Sequence, residues 1–172
     1  MKLPNIVGHH EPMHLSAAQH RDLLLQAVAL ARRSRANGSH PFGALLADAS
    51  GGVVLEAQNT VVTSGDVTGH AETNLVRLAS VAYDSGDLAA MTLVTSTEPC
   101  AMCAGAIFWS GIGAVLYALA GTALADFTGD DPRNPTLQLP CREVSAAGRR
   151  RVDVTGPTDL PEARAVHAGF WR

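Results

Sequence analysis

The sequence predicts an α/β domain layered around a mixed sheet. Amphipathic stretches at helical spacing alternate with short apolar runs along the chain. The first two apolar runs flank a Gly51-Gly52 turn and so form a hairpin, whereas the later ones are separated by helical stretches that must cross over the sheet.

Each element has a local reason. Met1 to Leu15 is polar, carries Pro4 and Pro12, and reads as an extended arm whose His9, His10 and His14 are exposed. Ser16 and Gln19 have the spacing of a capping box. Beyond them Leu23, Leu24, Ala27, Leu30 and Ala31 mark one face of a helix that reaches Arg35 and stops at Asn37-Gly38. Gly43 to Asp48 and Val53 to Gln58 are the hairpin strands. A loop from Gly65 to Gly69 delivers His70 to the start of a second helix ending near Tyr83. Met91 to Ser96 is a nearly continuous apolar strand, as in the middle of a covered sheet. Glu98-Pro99 opens a third helix, with proline at its first position. Ala114 to Ala118 is another strand, and Gly121 to Pro140 reads as loop with at most short helical turns. Val152 to Thr155 is a last strand and Leu160 to Phe170 a last helix.

At 172 residues, with 47% hydrophobic and 17% charged side chains, the chain has the size and composition of one folded domain spanning 1–172. A net charge of −3 argues against a polyanionic partner. Its tight basic run, Arg149-Arg150-Arg151, reads as a solvated turn. Three cysteines are too few for a disulfide framework. Neither a signal pattern nor a membrane-length apolar run is visible, so a cytoplasmic setting is expected.

The chemistry lies in His70-Ala71-Glu72 and in Pro99-Cys100-Ala101-Met102-Cys103. One imidazole and two thiolates suit Zn²⁺ and leave the fourth tetrahedral position open for water. Glu72, one residue beyond the imidazole ligand, is placed to move that water's proton. A closed structural zinc would need a fourth protein ligand. Both halves of the motif fall at helix N-termini, where the helix dipole favours thiolates. Cys141 is left over and reads as a small buried hydrophobe. An amidine-like ring carbon is a suitable electrophile for such a site, losing ammonia after attack.

His-x-Glu followed by Pro-Cys-x-x-Cys is the signature of zinc deaminases, and at these residues the chain resembles the cytidine deaminase-like superfamily. More narrowly it is similar to the branch holding guanine deaminases and tRNA adenosine deaminases. That likeness is carried by Pro41-Phe42-Gly43-Ala44, Asn59, His70 to Asn74, and Thr97 through Trp109, and it is strong from about Pro41 to Tyr117. It implies a three-layer α/β/α sandwich with a mixed sheet of about five strands, one catalytic zinc per chain and a homodimer. By resemblance His70, Cys100 and Cys103 are the zinc ligands and Glu72 the proton shuttle. Asn59 and the backbone of Ala71 contact the base, and Phe42 and Trp109 line its pocket.

The implied reaction is hydrolytic deamination of a free nucleobase-like ring. Asn74 and Phe108-Trp109 lean towards guanine. An acidic residue that some guanine deaminases carry after the fourth strand is replaced here by Gly121-Thr122-Ala123, with Asp126, Asp130 or Asp131 as substitutes. Cytosine, an aminated triazine or a nucleoside is the alternative, followed by a tRNA adenosine and, from another class, a non-catalytic zinc scaffold. The aromatic end, Ala168 to Arg172, either packs as a helix on the sheet or closes over a base pocket, as tails do in the guanine deaminase branch.

Overall fold

The computed structural model describes residues 15–129, 135 and 137–171. The residues expected to form the arm up to His14, as well as Asp130 and Asp131, lie outside them. Helix α1 (Ala17–Ala36) starts at Ser16, whose side chain and that of Gln19 form the expected reciprocal capping box. Strands β1 (Gly43–Ala47) and β2 (Val53–Gln58) pair antiparallel, with a bulge between Leu46 and Ala47. Then follow α2 (Val61–Ser64), α3 (Ala71–Ala82), α4 (Ser85–Ala89) and β3 (Thr92–Thr97). Next are α5 (Ala101–Ser110), β4 (Ala114–Leu119), α6 (Gly121–Thr128), α7 (Cys141–Ala146), β5 (Asp153–Thr155) and α8 (Pro161–Ala165).

The five strands are ordered β2-β1-β3-β4-β5. β1 and β3 are antiparallel, whereas β3, β4 and β5 run parallel. Helices cover both faces, giving the expected three layers. On one face Leu46, Leu75, Leu93, Ile107 and Val115 share a core with α3 and α5. On the other Leu24, Leu30, Leu45, Val94 and Leu116 pack with α1, and Leu160 and Ala163 of the α8 region join them. Gly43 is required by this packing. A Cβ there would lie 2.4 Å from the Ala31 nitrogen and 2.5 Å from Leu30 Cβ, so only glycine lets α1 lie this close to β1.

Several local expectations differ from the structure. Pro99 stands just before the N-cap of α5, which is Cys100, and is not the first helical residue. The stretch read as mostly loop, Gly121 to Pro140, contains the eight-residue α6, because Ala123 and Leu124 find apolar cover against the α1 core; α7 begins directly after it. The last helix is five residues long; from Val166 the chain turns instead of continuing it. Arg150 is half-buried, not part of a free turn. Its guanidinium donates to Ile107 O, Phe108 O, Gly111 O and Ile112 O at 2.7–3.2 Å and lies over the Phe108 ring, capping the C-terminus of α5. Cys141 is buried in the first core, and its thiol is pushed up to about 12 by burial and then by Glu98. No described helix is long and apolar enough to cross a membrane.

Candidate active site

The N-termini of α3 and α5 meet. His70 is the N-cap of α3, delivered by a loop pinned where Thr60 N donates to Gly69 O at 2.8 Å. Cys100 is the N-cap of α5, and Cys103 stands three residues further in. Cys100 Sγ and Cys103 Sγ lie 3.6 and 3.5 Å from His70 Nδ1, and 3.5 Å from each other. Among the described residues these three form the one group of His, Cys, Asp and Glu side chains whose ligand atoms cluster within 4.8 Å.

Tetrahedral bonds of about 2.3 Å to sulfur and 2.0–2.1 Å to nitrogen demand S···N separations of about 3.6 Å and an S···S separation of about 3.8 Å. The donor set therefore fits a zinc ion with only a small opening of the sulfur pair. The local electrostatics agree. Cys100 is held down to about 4 by its hydrogen bond with Cys103 and then by His70. Cys103 is pushed upward by sharing that hydrogen bond, by burial and by the nearby Glu72. His70 is raised by its hydrogen bond to Cys100.

Glu72 is 4% exposed and lies 3.5 Å from Cys103 Sγ through Oε2. Burial raises its carboxyl pKa, while Thr95, donating to Oε1 at 2.7 Å, works in the opposite direction. Sequence reasoning does not single out Thr95. Thr95 is one of four Thr and Ser residues in β3, and only the fold tells it from the others.

Asn59, 2% exposed, follows the end of β2. Its Oδ1 accepts from Ser39 Oγ at 2.9 Å and from the Val61 amide at 3.0 Å, and its backbone N–H donates to Phe42 O. Because the Val61 amide can only donate, the orientation of the side-chain amide is set. Nδ2 is left buried with no hydrogen-bond partner among the described residues. Ser34, wholly buried, donates to His40 O and Asn59 O and ties these two segments together. Asn74 is a brace: its Nδ2 donates to Gln58 O, Thr60 Oγ1 and Gly69 O, holding the strand end against the loop before His70.

Ala71 is fully buried at the first position of α3, where the backbone N–H has no acceptor within the helix. Phe42 is half-buried, with its ring 5.9 Å from Trp171 and 5.3 Å from His167. Trp109 is not brought to the other site residues by burial; it is 85% exposed on α5, edge-on to Phe108. Asp126 is exposed on α6. A groove of about 540 Å³ bordered by Ser39, Gln58, Asn59, Asn74 and Arg77 lies beside the site but has neither His70 nor Glu72 in its wall.

Residues 17–119 match the family model described as the cytidine and deoxycytidylate deaminase zinc-binding region. A "Probable cytosine deaminase" of Schizosaccharomyces pombe is 40% identical over 148 residues, covering 86% of this chain and 90% of that protein. The guanine deaminase of Bacillus subtilis is 41% identical over 113 residues, 65% of this chain and 72% of that one. The structure of guanine deaminase from Nitrosomonas europaea superposes with a TM-score of 0.70 at 28% identity, covering 97% of this chain and 94% of that one. A metal triad with a buried carboxylate beside it, on this sheet and with these relatives, places the chain in the cytidine and deoxycytidylate deaminase family: it is a zinc-binding hydrolytic deaminase.

Proposed function

We propose that the chain, working as one domain over 1–172, deaminates a free amino-heterocyclic base hydrolytically, with guanine or a related purine as the leading substrate. The observation that carries a base-binding reading is the orphaned Asn59 Nδ2. A buried donor with a set orientation and no partner costs about 1–3 kcal/mol unless a ligand supplies an acceptor, and a ring carbonyl or ring nitrogen does so. The free amide of Ala71 adds a second donor, and the face of Phe42 a flat apolar wall.

In this reading His70, Cys100 and Cys103 hold one zinc ion, which when bound supplies Lewis-acid activation of water. Glu72 would take a proton from the attacking water as the water oxygen bonds to the ring carbon carrying the amino group. The same carboxyl returns the proton to the amino nitrogen, the C–N bond breaks, and ammonia leaves with the ring carbon now carrying oxygen. Thr95 keeps Oε1 occupied and so aims the other carboxylate oxygen at the proton being moved.

The likeness to guanine deaminases supports the purine. Cytosine is the second reading, favoured by the relative that aligns over most of the chain. A tRNA substrate is disfavoured by the net charge of −3. Trp109 enters the scheme through a second copy: a homodimer packed on α5 covers it together with Met102, which is also exposed. The pair of metal-binding thiols accords with a cytoplasmic setting.

The test is ammonia release from guanine, cytosine, adenine, their nucleosides, aminated triazines and anticodon stem-loops by zinc-loaded protein, with Glu72→Gln alongside. Guanine turnover that falls about 10³-fold in the variant, within the range of general acid–base catalysis, is expected while zinc stays near one per chain. Turnover of stem-loops alone overturns the free-base reading, and undiminished turnover by Glu72→Gln overturns the proton shuttle.

A further inference from the structure

The end of the chain is folded back onto the segment that carries Phe42, and it is fastened there from two sides. Beyond α8 the chain turns and brings Trp171 within 5.3 Å of the His40 ring, 5.9 Å of Phe42 and, stacked at 19°, 6.1 Å of His167. The inner fastening is His167, 1% exposed. Trp171 Nε1 donates to its Nδ1 at 3.2 Å, and since an indole N–H only donates, the imidazole proton sits on Nε2, 3.4 Å from Thr97 Oγ1. Thr97 ends β3, three residues before Cys100, so the tail is tied to the strand that leads into the thiols.

The outer fastening is Arg35, in the last turn of α1. Its Nη1 donates to Val166 O at 2.7 Å and to Ala168 O at 2.9 Å, and its guanidinium lies 5.6 Å from the centre of the Phe170 ring. These contacts grip the turn on both sides of His167. One cation meets two carbonyls that lost their helical partners when α8 stopped after five residues. Nothing in the proposed chemistry needs Arg35, and a surface arginine at a helix end would normally be solvated.

We propose that Arg35 is a positioning residue for substrate binding: it clamps the turn 166–168 so that Trp171 forms a fixed wall of the base pocket beside Phe42 of the same chain. The proposal rests on the reading of Phe42 as a pocket residue. Arg35 touches no substrate and acts through the tail. A planar guanidinium is suited to this because it reaches two acceptors and a ring face together, which a lysine ammonium does not.

The test uses zinc-loaded protein, with Trp109→Phe added for the quenching measurement alone so that Trp171 is the sole tryptophan reporter, and kinetics and chelation read without it. Arg35→Ala is expected to raise acrylamide quenching of Trp171 severalfold and to speed the loss of zinc to a chromogenic chelator. KM for the base should rise about tenfold, the equivalent of one lost charge-assisted hydrogen bond, with kcat within about twofold. Arg35→Lys should recover only part of the quenching protection. Unchanged quenching in Arg35→Ala overturns the clamp. Increased quenching with unchanged KM and chelation rate overturns the wall. If wild-type protein deaminates no base, the substrate reading fails by itself, and the quenching and chelation rates still decide the clamp.

Discussion

Replacing His167 by Gln makes the tail's inner fastening measurable through pH. His167 is buried against Trp171, Phe42 and Phe127, and burial, helped by the charge of Arg35, lowers its pKa from 6.5 to about 4. The ring accepts the Trp171 N–H at Nδ1, so protonation there would also set two donors against each other. In the unfolded chain the imidazole takes up a proton as pH falls through 6.5, whereas the folded chain does not until about 4. Stability from this group is therefore intact above 6.5, lost progressively below it, and level once pH is under about 4. Between pH 8 and pH 5 the loss is about 2 kcal/mol, because each pH unit below the unfolded pKa costs about 1.36 kcal/mol. Glutamine does not titrate. Urea unfolding of both proteins at fixed excess zinc, followed by circular dichroism, gives the difference in stability at each pH, and the zinc ligands titrate in both and cancel. The wild type is expected to lead at pH 8 and to surrender about 2 kcal/mol of that lead by pH 5. A difference that stays constant across this range would refute the reasoning, because it would mean that the folded His167 titrates like the unfolded one.

Thr95→Val removes the hydroxyl that donates to Glu72 Oε1 and keeps the side chain's shape. Losing a donor to the carboxylate raises the carboxyl pKa further, so the acid limb of the kcat/KM profile should move to higher pH with zinc content unchanged; an unmoved limb would remove Thr95 from the site. Arg150→Ala uncaps four carbonyls at the end of α5 and should cost about 2–3 kcal/mol, read as a lower urea midpoint. Were its midpoint to match wild type, those contacts would be solvated ones after all. Cys100→Ala should abolish zinc binding, measured by metal analysis, and lower Tm, since the bound ion contributes to the stability of the folded state; retention of one zinc per chain would show that the ligand set is wrong.

Much of this protein is set out in its linear pattern, because the features concerned are local. The capping box at Ser16 and Gln19 and the hairpin around Gly51-Gly52 need only neighbouring residues, and they appear as expected. The candidate ligand set is legible for a different reason: few residue types bind zinc, and their spacing relative to helix starts leaves few alternatives. What lies beyond the sequence depends on partners far along the chain. Asn59 becomes an orphaned donor only when Ser39 and Val61 take its oxygen. Thr95 meets Glu72 across 23 positions, and Arg150 finds α5 across about 40. The tail shows the division most clearly. Its apolar residues suggest a helix reaching Phe170, but α8 ends at Ala165, where Arg35, more than 130 positions earlier, donates to the carbonyls of the turn. Composition and spacing determined the chemistry this chain can perform. Which side chains enclose that chemistry was decided by contacts that exist only once the sheet has brought distant segments together.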